Sequence, residues 1–226
     1  DVERSRGLGD VYKRQDMLDK KKVLLGMSGG VDSSVSALLL KEKGYEVIGI
    51  TMQLWCDDNK TVEDAKKVCD KLGIEHHVVN YKEEFKKYVI DDFINKYLDA
   101  KTPNPCIECN RYLKFGMMWE KAKELGAYYI ATGHYAKTCY SEKYKRYVIK
   151  KSDSIKKDQS YVLYNIPKEI IEHIIFPLQS FESKDDIRNI AIKNGLIVAN
   201  KPDSQEICFI PDNDYSNFLK ENVNDI

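Results

Sequence analysis

At 226 residues the chain is long enough to bury a sizeable core, and its 36 basic against 36 acidic residues exclude nucleic-acid binding driven by overall charge. No run of eighteen apolar residues occurs and the amino end has no apolar signal core, which predicts a cytoplasmic protein with no membrane partner. The six cysteines are scattered rather than framed as a small disulfide scaffold, so in a reducing compartment they read as catalytic, metal-binding or buried.

Residues 1–16 carry Arg4, Arg6, Lys13 and Arg14 without a hydrophobic period, which predicts a non-native or disordered leader and an organised chain beginning near Met17. The apolar run Val23-Leu24-Leu25 predicts a buried strand over 23–27, while Val35, Leu38 and Leu39 keep a helical period over 33–43. Between them lies Gly26-Met27-Ser28-Gly29-Gly30-Val31-Asp32-Ser33-Ser34. A loop at the carboxyl end of a strand and the amino end of a helix holds anions through unpaired backbone N–H groups and the helix dipole, and Gly29 and Gly30 allow close approach. A Walker A reading fails, because no Lys follows the second glycine. The segment from Gly26 to Gly30 satisfies the G-x-S-x-G elbow, which would make Ser28 a hydrolase nucleophile with His134 or His173 as its base. The longer S-G-G-x-D-S string resembles the signature of the PP-loop family, whose members cleave ATP between the α- and β-phosphates to adenylate a carbonyl oxygen. That resemblance implies that Ser28, Ser33 and the backbone cradle pyrophosphate, with Asp32 near Mg²⁺.

Further along, strands are expected over 46–52, 75–80 and 128–131, and helices from Thr61 to about residue 72, over 82–98 and over 111–125. The alternation predicts an α/β fold, a doubly wound and mostly parallel sheet of the adenine nucleotide alpha hydrolase-like type, with its ligand crevice at the strands' carboxyl ends. After Ala136 the pattern gives a hairpin over 139–144 and 146–150, a short apolar piece over 160–163, a boundary at Pro167, and short helices over 168–175 and 185–194. The expected organisation is a PP-loop domain over 17–165 and a small, mainly helical and incomplete domain over 166–226. Residues 137–157 hold eight basic side chains against Glu142 and Asp153, with Tyr140, Tyr144 and Tyr147 among them; this reads either as a solvated hairpin or as a phosphate-and-base surface.

A second site is suggested by Thr102-Pro103-Asn104-Pro105-Cys106-Ile107-Glu108-Cys109-Asn110, a proline-fixed loop expected to present two cysteines just before a helix. A helix N-terminus lowers a thiol pKa, so Cys109 is a candidate thiolate nucleophile. Lys201-Pro202-Asp203-Ser204-Gln205-Glu206-Ile207-Cys208-Phe209-Ile210 is another polar segment with one cysteine. Cys56, Cys69 and Cys139 read as structural.

The ordered combination of SGGVDS, TPNPCIECN, ATGHYA, KDQSY and KPDSQEICFI resembles the bacterial tRNA-specific 2-thiouridylases (MnmA family) over residues 17–226. The resemblance implies ATP-dependent adenylation of the C2 oxygen of the wobble uridine and its replacement by sulfur from a cysteine persulfide. By position it makes Cys109 the nucleophile and Cys208 the persulfide carrier, the two able to join as a disulfide. It assigns Gly26, Met27, Ser28, Gly29, Gly30, Val31, Asp32, Ser33, Met52 and Gly133 to ATP, Asn104, Pro105 and Cys106 to the target base, and His134, Lys157, Asp158 and Gln159 to tRNA. The implied partners are tRNA and a persulfide-delivering donor protein. Many family members carry Asp where Cys106 stands; Cys106 either replaces that acid or joins Cys109 and Cys208 as a three-thiolate ligand set for an iron–sulfur cluster. The resemblance also implies a carboxy-terminal β-barrel that helps hold the tRNA, and this chain is expected to stop before it. Against this stand another PP-loop ligase acting on a small substrate, and a metal-binding module built on Cys106 and Cys109.

Overall fold

The computed structural model describes residues 19–55, 59–202, 207–210 and 212–223. The expected leader, Cys56 and residues 203–206 of the KPDSQEICFI segment lie outside the described residues.

Strand β1 (Asp19–Gly26) sits at the centre of the sheet, and its Val23, Leu24 and Leu25 are completely buried. Such a continuous apolar run is what a strand covered on both faces requires. β1 pairs in parallel with β2 (Glu46–Gln53) on one side and with β4 (Ala127–Ala131) on the other; β3 (Glu75–Asn80) extends the first side and the two-residue β7 (Ile174–Ile175) the second. The order β3-β2-β1-β4-β7 changes direction between β1 and β4, where an open α/β sheet leaves its ligand crevice.

Helices cover both faces. On one, α1 (Val31–Glu42), α2 (Asn59–Leu72) and α5 (Lys184–Lys193) bury Val35, Leu40, Val68 and Ile187 against Val23 and Leu25. On the other, the helix over 105–124 (α4) packs Phe115 and Met118 against Leu24, Ile48 and Ile130, joined by Ile174 and Phe176. A third, aromatic cluster unites Phe85 and Phe93 of the helix over 82–98 (α3), Cys109 and Leu113 of α4, Phe209, and Phe218 of α6 (Tyr215–Asn222). The hairpin is β5 (Ala136–Ser141) with β6 (Arg146–Lys151), antiparallel. Among the described residues no helix is long and apolar enough to cross a membrane.

Three local expectations change. The helix expected from 111 already starts at Pro105, because the Asn104 side chain accepts from the Cys106 N–H at 3.2 Å and proline suits the first helical position. Cys106 and Cys109 are therefore helical, not in a loop. The helix expected over 168–175 is a 3₁₀ turn (Lys168–His173) followed by β7, since the β-branched Ile174 and Ile175 find the free edge of β4. α6, which the pattern did not reveal, is capped by Asp214, whose carboxylate accepts from the Asn217 N–H at 2.9 Å.

Candidate active site

The turn after β1 is tied to β2 by the Met27 N–H donating to the Ile50 carbonyl at 2.7 Å and by the Thr51 hydroxyl donating to the Met27 carbonyl at 3.0 Å. Inside the turn the Ser28 N–H donates to Ser33 Oγ at 3.2 Å, and the Ser33 and Ser34 hydroxyls donate to the Gly30 carbonyl at 3.1 and 2.8 Å. Gly30 is the residue that opens α1. Gly29 has φ +61°, and a Cβ there would lie 2.7 Å from the Thr61 carbonyl oxygen of α2, so only glycine fits. On the far side of the crevice a Cβ on Gly133 would lie 3.0 Å from both Asp32 Cβ and the Ser33 nitrogen. The expected ATP residues, Gly26 to Ser33, Met52 and Gly133, thus gather at the carboxyl ends of β2, β1 and β4. The close glycine contacts and the start of α1 fit a nucleotide's phosphates.

Asp32 is more committed than the sequence suggested. Its carboxylate accepts from the Tyr135 hydroxyl at 2.9 Å and from Lys184 Nζ at 2.5 Å. Lys184, largely buried at the start of α5, neutralises that carboxylate. Asp32 fits a Mg²⁺ ion as one carboxylate ligand, in competition with Lys184. The hydrolase reading finds no base among the described residues. The Ser28 hydroxyl lies 3.2 Å from that of Ser33, whereas His134 Nδ1 is bonded to Thr132 Oγ1 at 2.8 Å and His173 Nδ1 to the Tyr128 carbonyl at 3.0 Å.

Cys109 lies in the second turn of α4, only 6% exposed, inside the aromatic cluster. The expectation of a lowered thiol pKa is reversed: burial pushes it up, opposed by the positive charge of Lys114, while Cys106 adds to the rise. The helix-terminal field fades within the first turn, so desolvation wins. Cys208 is pushed up to about 11, first by desolvation of its sulfur and then by Cys109. Cys208 itself is exposed, while its neighbour Phe209 is buried in the aromatic cluster, with ring centroids 5.7 Å from Phe85, 5.3 Å from Phe93 and 5.4 Å from Phe218. The three thiols are close enough for each charge to bear on the next, yet Cys106, Cys109 and Cys208 are all free, and Cys109 and Cys208 are not joined. Among the described residues no three His, Cys, Asp or Glu side chains form a metal-holding group, so neither the cluster ligand set nor the metal module is assembled here.

The remaining tRNA candidates split. Asn104 and Cys106 are exposed and Pro105 is buried. Asp158 accepts from the Ser152 N–H at 2.9 Å and the Ser160 hydroxyl at 2.7 Å. Gln159 clasps Tyr135 through two bonds: its N–H donates to the Tyr135 carbonyl at 2.8 Å, and its Oε1 accepts from the Tyr135 N–H at 3.0 Å. Both brace the loop that ends in the exposed Lys157. His134 is held neutral, its pKa lowered to about 3 by burial and by Lys114. Sequence reasoning missed Lys184, Tyr135 and Asn110, the last buried beside Cys109 and donating to the Val162 carbonyl at 3.1 Å.

The raised thiols give a pH signature. At pH 7.5 Cys208, with its pKa near 11, is almost wholly protonated, so alkylation of Cys208 followed by peptide mass spectrometry should accelerate about tenfold per pH unit up to pH 10. A plateau below pH 9 would contradict the desolvated setting.

Residues 21–212 match the family described as the tRNA methyl transferase HUP domain. A tRNA-specific 2-thiouridylase MnmA of Clostridioides difficile is 52% identical over 216 residues, covering 91% of this chain and 60% of that protein. A protein of the same name from Acetivibrio thermocellus is 52% identical over 219 residues, covering 91% and 61%. The chain therefore spans about three fifths of the length of these curated relatives. Among solved structures, NMN synthetase from Francisella tularensis is similar with a TM-score of 0.52 at 14% identity, covering 85% of this chain and 73% of that one. Glutamine-dependent NAD+ synthetase from Acinetobacter baumannii has a TM-score of 0.53 at 14% identity, covering 87% and 34%. At such identity these two likenesses concern the fold alone. Because the family match runs without a break from β1 and the phosphate loop, through α4 and the hairpin, to the Cys208 segment, the chain belongs to the tRNA methyl transferase HUP domain family.

Proposed function

We propose that the chain carries the catalytic part of an ATP-dependent tRNA 2-thiouridylase working in the cytoplasm. The observation that carries this reading is the packing of Cys109 with Ile207 and Phe209, which flank the exposed Cys208 and bring it close enough for the two thiols to act on each other, on a fold whose strand-to-helix loop lacks a Walker lysine. The relatives named tRNA-specific 2-thiouridylase support the substrate.

In this reading the C2 oxygen of the wobble uridine attacks the α-phosphate of ATP, the α–β bond breaks and pyrophosphate leaves. A donor protein has already placed a sulfur on Cys208 as a persulfide. The Cys109 thiolate attacks the Cys208 sulfur, the sulfur–sulfur bond of the persulfide breaks, and hydrosulfide is released. Hydrosulfide then attacks C2 and expels AMP with the original oxygen. The resulting Cys109–Cys208 disulfide is reduced by a cellular thiol. Lys114, whose charge lowers both thiol pKa values against burial, assists the proton loss that Cys109 needs. Neutral His134 offers RNA a hydrogen bond rather than an ion pair. Asn104, Pro105 and Cys106 border the target base, Lys157 meets the tRNA backbone, and Asp158 and Gln159 hold Lys157 in place. Asp32 would hold Mg²⁺, which screens the charge of the phosphates when bound.

Incubation with ATP, Mg²⁺, unmodified tRNA and a persulfide donor should yield AMP and pyrophosphate in equal amounts. Release of ADP and orthophosphate would contradict the assignment of the loop.

A further inference from the structure

Lys201 ties two parts of the molecule that are far apart in sequence. Its Nζ donates to the Gly29 carbonyl of the phosphate loop at 3.0 Å and to Asp64 Oδ2 of α2 at 2.8 Å. The contact is not a chance surface pair. Val198 and Ala199, just before Lys201, are buried in the core cluster that also holds Val31, Val35, Ala65 and Val68. Beyond it, Phe209 is buried in the aromatic cluster with Cys109. Buried residues thus lie on either side of 203–206, and Lys201 contacts the loop at the place where Gly29 lies against the Thr61 carbonyl.

The peptide between Gly29 and Gly30 carries the coupling. In a trans peptide the carbonyl and the following N–H point in opposite directions, so Lys201, on the Gly29 oxygen, leaves the Gly30 N–H directed away from itself. An ammonium on the carbonyl polarises the peptide and makes that N–H a better donor; an anion on the N–H makes the carbonyl a better acceptor. Each bond strengthens the other through one peptide unit.

Building on the ATP reading of the loop, we propose that Lys201 is a positioning residue that couples nucleotide in the phosphate loop to the seating, and hence the reactivity, of Cys208. By linkage, a contact strengthened by the nucleotide must also raise nucleotide affinity.

The test compares the rate of Cys208 alkylation with and without saturating Mg·ATP, resolved by peptide mass spectrometry, with Cys139 as the internal reference and ATP affinity measured by calorimetry. In the wild type, nucleotide should change the Cys208 rate by about fivefold or more, a factor in the usual range of linked sites, and leave Cys139 unchanged. Lys201→Met should lose that response and bind ATP several-fold more weakly, Lys201→Arg should keep both, and Asp64→Asn, which retains the lysine but removes its anchor, should blunt the response. A wild type that binds ATP without altering Cys208, or a Lys201→Met protein with the full response, would overturn the coupling while leaving the ATP reading intact. A wild type that does not bind ATP would overturn the reading of the loop, and the coupling with it.

Discussion

Cys109→Ser and Cys208→Ser should each reduce tRNA thiolation by on the order of a thousandfold or more, because groups that act as a unit fail when either is removed. ATP affinity should change less than twofold in both, since neither thiol is part of the phosphate loop. The two variants should differ in how they fail. Cys109→Ser leaves Cys208 able to accept persulfide sulfur, so intact mass spectrometry after incubation with a sulfur donor should find a protein heavier by one sulfur atom that does not discharge. Cys208→Ser should not charge at all. Because Cys109 is buried, its serine variant places a hydroxyl among aromatic rings; Cys109→Ala, which avoids this, should show the same loss of thiolation. Full thiolation by either serine variant would contradict the relay.

Gly29→Ala should damage the loop after β1, the proposed ATP site, without touching a reacting group. The backbone there has φ +61°, which costs a residue with a side chain about 1–2 kcal/mol, and the new methyl would lie 2.7 Å from a backbone oxygen of α2 that cannot rotate away. Overpacking of this kind costs a further 1–3 kcal/mol, roughly. The relief available is a shift of the loop itself, so much of the cost should appear as weakened binding. ATP affinity should fall by about tenfold to a hundredfold, with a lower melting temperature, whereas Gly44→Ala, which has φ +82° but open space around it, should lower stability and leave ATP affinity alone. Equal ATP affinity in Gly29→Ala and wild type would show that the loop does not hold the phosphates.

The loop was legible because its signals are local: the buried run Val23-Leu24-Leu25, glycines at the turn, and the apolar period of α1 all lie within twenty residues. The central strands were legible for the same reason, with boundaries within a few residues of those found. What the sequence concealed depends on contacts between distant segments. Ile174 and Ile175 are a strand only because β4 offers them an edge. Cys109 sits in a polar, proline-rich stretch, and the rings that bury it come from α3, Phe209 and α6, so a pKa argued from its helix alone pointed the wrong way. Lys184 meets Asp32 across 152 residues and Lys201 meets Gly29 across 172, separations that no periodicity encodes. Asp158 and Gln159, read as tRNA contacts, have side chains engaged in bracing their own loop and Tyr135.

In the proposed reading, Cys109, Cys208 and the loop after β1 serve sulfur transfer to the wobble uridine. The most direct measurement is mass spectrometry of tRNA nucleosides from cells in which this protein, expressed at the length of its relatives, is the sole source of the activity. The expected result is 2-thiouridine derivatives at the wobble position, lost on Cys109→Ser and on Gly29→Ala. Wobble uridines that stay unthiolated, or thiolation that persists in the Cys109→Ser cells, would contradict it.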